Sequence, residues 1–189
     1  VGTGVMGMGI AQIAAQSGVQ VLLFDAREGA ATTGKANLKQ TLEKLQAKGK
    51  LSASDVEQTL QRLVVLDTIE QIKEADLVIE AIIENLEIKQ KLFKQIESIV
   101  SKETILVSNT SSLSVTALAA VCEHPNRIAG FHFFNPVPLM KIVEVIAGLA
   151  TDEHVIAELL TFAKSMGHLG VRTKDTPGFI VNHAGRAYS

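Results

Sequence analysis

Seven short runs rich in β-branched and aliphatic residues recur along the chain: VQVLLFD (19–25), RLVVLD (62–67), DLVIEAI (76–82), TILVSN (104–109), RIAGFHF (127–133), KIVEVIAG (141–148) and GVRTK (170–174). Amphipathic segments lie between them and predict helices over 5–17, 29–48, 53–61, 86–100 and 152–166. This alternation leaves few architectures open, because neighbouring parallel strands need a crossover of a dozen or more residues and the crossover is right-handed. The runs up to about residue 109 are apolar with little alternation, as strands buried on both faces are. The later ones alternate more, which admits a mixed sheet there. SASD (52–55) reads as a capping box with Ser52 as N-cap and Asp55 reaching back, and Thr151 before Asp152 and Glu153 marks another helix start. The expected fold is α/β, a doubly wound and mostly parallel sheet with helices on both faces.

Hydrophobic side chains make up 47% of the 189 residues and charged ones 20%, enough apolar material for one domain with a sizeable core. The formal net charge of -2 comes without a basic block, which argues against a nucleic-acid partner. The most basic stretch, KANLKQTLEKLQAKGK, reads as a solvated helix face whose lysines are also available to a smaller anionic ligand. The single cysteine, Cys122, has no partner for an internal disulfide, and no apolar run reaches the roughly 18 residues of a membrane span. A cytoplasmic protein with no membrane partner is expected. There is no signal peptide, although Val1 directly precedes the next motif and a removed targeting segment would leave no trace. Neither an internal repeat nor a low-complexity linker interrupts the chain.

Gly2, Gly4 and Gly7 are spaced as G-x-G-x-x-G at the head of the first helical segment. In a dinucleotide site Gly2 makes the tight turn out of a strand, Gly4 lets backbone approach a pyrophosphate, and Gly7 lets helix and sheet lie close. Ala11 and Ala15 continue Gly7 as a small-residue stripe. Asp25 ends the following strand, 23 residues after Gly2, where a carboxylate accepts hydrogen bonds from both adenosine ribose hydroxyls. The order of motif, helix, strand and acid points to a Rossmann-type domain that binds NAD, since a carboxylate repels the 2′-phosphate of NADP. Arg27 qualifies that preference, because a nearby arginine accommodates the phosphate. The competing readings are an ordinary strand-to-helix turn with an unremarkable Asp25, and the glycine-rich turn of a methyltransferase.

Ligands of doubly wound sheets lie beyond the carboxyl ends of the strands. Ser108–Ser112 follows one such end and His132 stands at another. His132 is a candidate general base, and Glu144, embedded in the apolar IVEVI, needs a partner that an imidazole can supply. Each also has a plainer reading: a hydrogen-bonded core histidine, a solvent-facing glutamate on an edge strand, a serine-rich turn or cap. His124, His132, His154, His168 and His183 show neither H-E-x-x-H nor another familiar ligand spacing, so no metal is expected.

The stretches GTGVMGMGIAQ, DLVIEAIIENLEIKQKLF, SNTSSL, GFHFFNPVPLMKIVEVI and DTPGFIVN, in this order, resemble the L-3-hydroxyacyl-CoA dehydrogenases of fatty-acid and related acyl-CoA degradation. The resemblance covers essentially all 189 residues, as the NAD-binding domain of that family. It implies β-oxidation chemistry in which His132 takes the proton of a substrate 3-hydroxyl while hydride passes to the nicotinamide, with Glu144 pairing with and orienting His132. It places Ser111 and Asn182 at the reacting end of the substrate, and Asn135 at the nicotinamide end. Met6, Asp25, Glu84 and Lys89, with Gly2, Gly4, Gly7 and Ser111, match cofactor contacts. Thr41 and Lys48 match positions that meet coenzyme A.

The resemblance also implies a domain of residues 1–175 with its first strand cut to Val1. Residues 176–189 are expected to begin a C-terminal helical domain that completes the acyl cleft and makes a homodimer of the full-length protein. A chain ending at Ser189 is expected to lack half of that cleft. Two alternatives stand beside the acyl-CoA dehydrogenase: a dehydrogenase of a free hydroxy acid, which has no use for Lys48, and a non-catalytic structural relative that keeps only the fold.

Overall fold

The computed structural model describes residues 1–176, 178 and 179. Among the described residues six helices and seven strands follow one another: α1 (Val5–Gln16), β1 (Val21–Leu23), α2 (Ala30–Ala47), α3 (Ala53–Gln61), β2 (Leu63–Val65), β3 (Leu77–Glu80), α4 (Leu86–Ile99), β4 (Ile105–Ser108), α5 (Val115–Ala119), β5 (Ile128–Phe133), β6 (Ile142–Ala147), α6 (Glu153–Ser165) and β7 (Leu169–Lys174). The expected strands and long helices are all present. Additional to them are α5 and the 3-10 turns Ile69–Ile72 and Pro125–Arg127, each too short to carry a periodic signal.

β3, β4, β5, β6 and β7 lie side by side in that order, every pairing parallel except the antiparallel β5–β6. β1 and β2 form a second parallel pair. Val1 and Gly2 connect the two sets: the Val1 amine donates to the Ile79 carbonyl at 2.8 Å, Ala81 N–H donates to the Val1 carbonyl at 2.9 Å, and Gly2 N–H donates to the Phe24 carbonyl at 2.9 Å. A cavity of about 730 Å³ lies alongside, lined by residues of α1, β1, β3 and α6, and His132, Glu144 and Ser111 take no part in it.

Strand residues alternate between two helical layers. Ile105, Val107, Ala129, Phe131, Phe133, Val143 and Val145 face α1 and α6, while Val78, Leu106 and Ile128 face α4 and α5. Burial of these aliphatic and aromatic side chains, each contributing about 1.5–3 kcal/mol, is what holds helices on both faces of the sheet. Ala11 and Ala15 of α1 are buried against Leu23, Leu38, Leu42 and Val56, so the small-residue stripe lets α2 and α3 close on α1 as well as bringing α1 to the sheet.

Local capping follows the sequence with one correction. The Ser52 hydroxyl accepts from Asp55 N–H at 3.0 Å and the Asp55 carboxylate accepts from Ser52 N–H at 3.0 Å, completing the expected box. At the start of α6 the N-cap is Asp152 and not Thr151. The Thr151 hydroxyl is occupied elsewhere, accepting from Gly148 N–H at 2.9 Å and donating to the Ile128 carbonyl at 2.5 Å, which ties that turn to β5. Ser52→Ala should lower unfolding free energy by ~0.5–2 kcal/mol without changing NADH affinity, as read by urea denaturation and calorimetry. An unchanged denaturation midpoint would show that the box contributes nothing.

Candidate functional site

The glycine turn opens at the end of the Val1–Gly2 connection. Gly2 has φ +88°, and a Cβ there would stand 2.7 Å from the Ala81 carbonyl oxygen. A Cβ on Gly7 would fall 1.9 Å from the Gly2 carbonyl oxygen, so only glycine lets α1 leave the turn this tightly. At Gly4 the added carbon would meet nothing within 4 Å, so space rather than packing surrounds that position. Gly4 is the N-cap of α1 and supplies no side chain to cap it, and the first turn, which contains Met6, holds no acid. The amides of the first turn therefore face outward with the positive end of a 12-residue helix behind them, an arrangement that suits a diphosphate.

Asp25 stands just beyond β1. One carboxylate oxygen accepts from Thr3 N–H at 2.8 Å and Thr3 Oγ1 at 2.9 Å, and the other from Arg27 N–H at 3.0 Å and Arg27 Nε at 3.2 Å. Burial alone would raise its pKa, but the hydrogen bonds from Arg27 and Thr3 outweigh it and hold the carboxyl well below the usual carboxylate range. The group is ionised under all working conditions. Thr3 fixes it from the glycine turn, whereas the Arg27 side chain, whose Nη2 also reaches the Thr3-bonded oxygen at 3.4 Å, is 76% exposed and can yield to a ribose.

Glu84, whose side chain is 36% exposed, caps a network formed by the buried Lys89, Glu80, Ser108 and Thr110. Lys89, 1% exposed, donates to Glu80 at 2.6 Å and stands 3.4 Å from Glu84. Glu80, fully buried at the end of β3, also accepts from Ile82 N–H and Ser108 Oγ, each at 2.6 Å. Glu84 accepts from Thr110 Oγ1 at 2.6 Å, Ser111 N–H at 3.0 Å and Ser112 N–H at 3.1 Å. Burial pushes the Glu84 carboxyl up, yet those donors and the Lys89 charge together pull it below its ordinary value. The effect is to fasten the loop that carries Ser111 to the ends of β3 and β4.

The antiparallel register of β5 and β6 sets His132 opposite Glu144. Their side chains meet, His132 Nδ1 to Glu144 Oε2, at 2.8 Å, with Glu144 fully buried and His132 5% exposed. An ionised carboxylate in this position accepts a hydrogen bond from Nδ1–H and leaves Nε2 as the other ring nitrogen for chemistry. Asn109 Oδ1 accepts from Phe133 N–H at 2.8 Å, joining the end of β4 to the end of β5 beside the pair. Asn135 is exposed in the loop after β5. That loop is held from beneath by His168, whose Nε2 lies 3.0 Å from the Val137 carbonyl oxygen.

Thr41 and Lys48 occupy the exposed side and the C-cap of α2, and the Thr41 hydroxyl donates to the Asn37 carbonyl at 3.0 Å. Among the described residues, neither hydrogen-bonds to the other candidate residues. Asn182 lies outside the described residues. Burial, reinforced by Glu97, pushes the Cys122 thiol up to about 12. Among the described residues no three His, Cys, Asp or Glu side chains are grouped to hold a metal. No helix there is long and apolar enough to cross a membrane.

A glycine turn feeding an uncapped helix, an acid at the end of the next strand and a parallel-dominated sheet define a dinucleotide-binding α/β domain. The chain belongs to the family described as the NAD-binding domain of 3-hydroxyacyl-CoA dehydrogenase, which it matches over residues 1–176. It is 46% identical over 188 residues to the 3-hydroxyadipyl-CoA dehydrogenase of Escherichia coli K12 and 45% identical over 181 residues to a probable 3-hydroxybutyryl-CoA dehydrogenase of Bacillus subtilis. Those matches take in 100% and 96% of this chain and span 40% and 63% of the relatives. A crystal structure of 3-hydroxybutyryl-CoA dehydrogenase from E. coli K12 superposes with a TM-score of 0.97 at 46% identity, covering 99% of this chain and 40% of that one.

Glu80, Thr110 and Asp175 escaped sequence reasoning. For Glu80 the signal was available: an acid closing the apolar run LVIE raises the same question of a partner that Glu144 raised.

Two glycine substitutions should separate packing from binding. Gly7→Ala should lower the melting temperature, whereas Gly4→Ala should leave it in place and weaken NADH binding, as read by calorimetry on both variants. Equal melting losses would contradict the difference in surroundings. Asp25→Ala should weaken NADH binding by ~1–3 kcal/mol and reduce discrimination against NADPH. A wild type that already prefers NADPH would transfer the determining role to Arg27.

Proposed function

We propose that the protein of which this chain is part oxidises an (S)-3-hydroxyacyl-CoA to the 3-oxoacyl-CoA with NAD, and that His132 is its base. The observation that carries this reading is the 2.8 Å contact between His132 and the fully buried Glu144. A buried carboxylate is costly unless paired, and here the pair forms on strands ending at the crevice where a doubly wound sheet binds its ligands. Bound NAD supplies the acceptor for the hydride that leaves C3 of the substrate.

His132 Nε2 receives the proton of the 3-hydroxyl as the C3–O bond becomes a carbonyl. The imidazolium so formed keeps its Nδ1–H on Glu144, whose negative charge stabilises it, and in the reductive direction the same proton returns to the substrate oxygen. Gly2, Gly4, Met6, Gly7 and Asp25 hold the adenosine and diphosphate part of the cofactor. Glu84 and Lys89 shape the crevice from below, Ser111 and Asn182 meet the reacting end of the substrate, and Asn135 supports the nicotinamide end. Thr41 and Lys48 give coenzyme A a hydroxyl and an ammonium. We assign the full-length protein to acyl-CoA degradation as a cytoplasmic homodimer.

A 340 nm assay of the full-length protein with NADH separates the alternatives. Acetoacetyl-CoA should exceed free acetoacetate in kcat/KM by more than about tenfold, because one charge-assisted hydrogen bond to a phosphate contributes ~1.5–3 kcal/mol. Equal rates would favour a free-acid dehydrogenase, and NADH binding without turnover of either compound would mark a non-catalytic relative. His132→Gln should reduce kcat by ~10²–10⁴ with NADH affinity within a few-fold. Glu144→Gln should lower kcat as well, since the amide keeps the shape but loses the charge. Retention of more than half the wild-type kcat by His132→Gln would remove His132 from this role.

A further inference from the structure

The DTPGF segment (175–179) follows the last strand of the sheet, and nothing in the mechanism above uses it. Asp175 reaches back about sixty residues to the start of α5: its carboxylate accepts from Ser114 Oγ at 2.8 Å, Val115 N–H at 2.9 Å and Thr116 N–H at 2.8 Å. Four residues on, Phe179 is 1% exposed and adopts φ +49°, a left-handed conformation that bulky residues rarely hold unless their surroundings impose it. The residue lies against the α5-facing side of the sheet. On that face Gly130 pairs with Ile146 and His132 with Glu144. A Cβ at Gly130 would lie 2.8 Å from Ile146 and 2.9 Å from Val115, so the missing side chain lets these two close together. Phe179 packs on Val115 and Ile146, and its ring stands 5.7 Å from the His132 ring. Phe134 approaches the same imidazole at 4.5 Å.

We propose that Phe179 is a positioning residue for His132: the turn anchored by Asp175 sets an aromatic ring against the imidazole, and with Phe134 and Glu144 this confines the ring and keeps its Nδ1–H away from water. The inference rests on His132 being the base. A strained aromatic buried beside a base is better explained by this role than by core filling, because an aliphatic side chain on an unstrained backbone would cover Val115 and Ile146 equally well. Asp175 takes the anchoring part. Its carboxyl, raised by burial but lowered more by Thr116, Ser114 and Val115, stays ionised and so keeps the turn in place as long as α5 is formed.

The test uses the full-length protein and two readouts. In the acetoacetyl-CoA assay Phe179→Ala should lower kcat by about tenfold or more while leaving the dissociation constant of NADH within twofold, because a small misplacement of a catalytic group acts on rate and the glycine turn lies elsewhere. Phe179→Leu, which keeps the contacts with Val115 and Ile146 but has no ring, should fall between wild type and Ala, and it decides the matter if Phe179→Ala does not fold. In a His132→Gln background the same substitutions should change the residual rate less than about twofold, since residues acting through one another are non-additive. Equal losses in both backgrounds would overturn the proposal.

The second readout needs no turnover. ¹⁵N-resolved imidazole spectra, assigned with His132→Gln, should show the His132 Nδ1–H proton in the wild type and show it broadened by solvent exchange in the Phe179 variants. An identical signal in all of them would refute the positioning role. Inactivity of the wild type toward acetoacetyl-CoA with the spectral difference intact would instead overturn the proposed reaction alone.

Discussion

Glu144 is the fixed point of this structure. It sits mid-strand with no exposure, and an unpaired carboxylate there would be unfavourable by several kcal/mol. The partner is delivered by chain direction: β6 runs against β5, so the residue opposite Glu144 is His132 and the two side chains emerge on the same face. β4 on the other side of β5, and β7 on the other side of β6, pair in parallel. The single reversal in a parallel-dominated sheet thus brings His132 to Glu144, and around the two lie the Asn109 bridge, the loop held by His168 and the Phe179 turn.

The cofactor half relies on a different device. Three glycines give the backbone its approach, but the crevice beyond them is shaped by a buried set of charges in which Glu80 and Lys89 neutralise each other and Glu84 collects hydrogen bonds from the 110–112 loop. Removing Glu80 or Lys89 leaves the other charge buried without its partner at 2.6 Å, so substitutions of these two act on the fold. Asp25 differs in being locked by Thr3 on one side and by a solvent-exposed arginine on the other. It can therefore exchange a partner for a ligand without disturbing the core.

Much of this was legible in the sequence because it depends on local pattern. Strands buried on both faces read as apolar runs, the long helices by their period, and the Ser52 box by its spacing. The short α5 left no period to read. The reversal at β5–β6 was open to inference, since the eight residues 134–141 are too few for a crossover. Partnerships across the chain were not: no local feature tells that Asp175 answers three donors at 114–116, that Glu80 meets Lys89, or that Thr151 leaves its helix start to Asp152 in order to hold β5. Nor does any local feature tell that Phe179 packs on Val115 and Ile146, which only the assembled sheet shows. Family motifs pointed to candidate ligand contacts and passed over the residues that hold those candidates in place.

The proposed chemistry requires that one buried histidine, oriented by Glu144, face the reacting oxygen of a 3-hydroxyacyl or 3-oxoacyl group. A crystal structure of the full-length protein with NAD and acetoacetyl-CoA bound examines this directly. The expected result has the C3 oxygen within ~2.6–3.2 Å of His132 Nε2 while Nδ1 remains on Glu144. A C3 oxygen held by other groups, or an imidazole turned away from Glu144 in the complex, would contradict it.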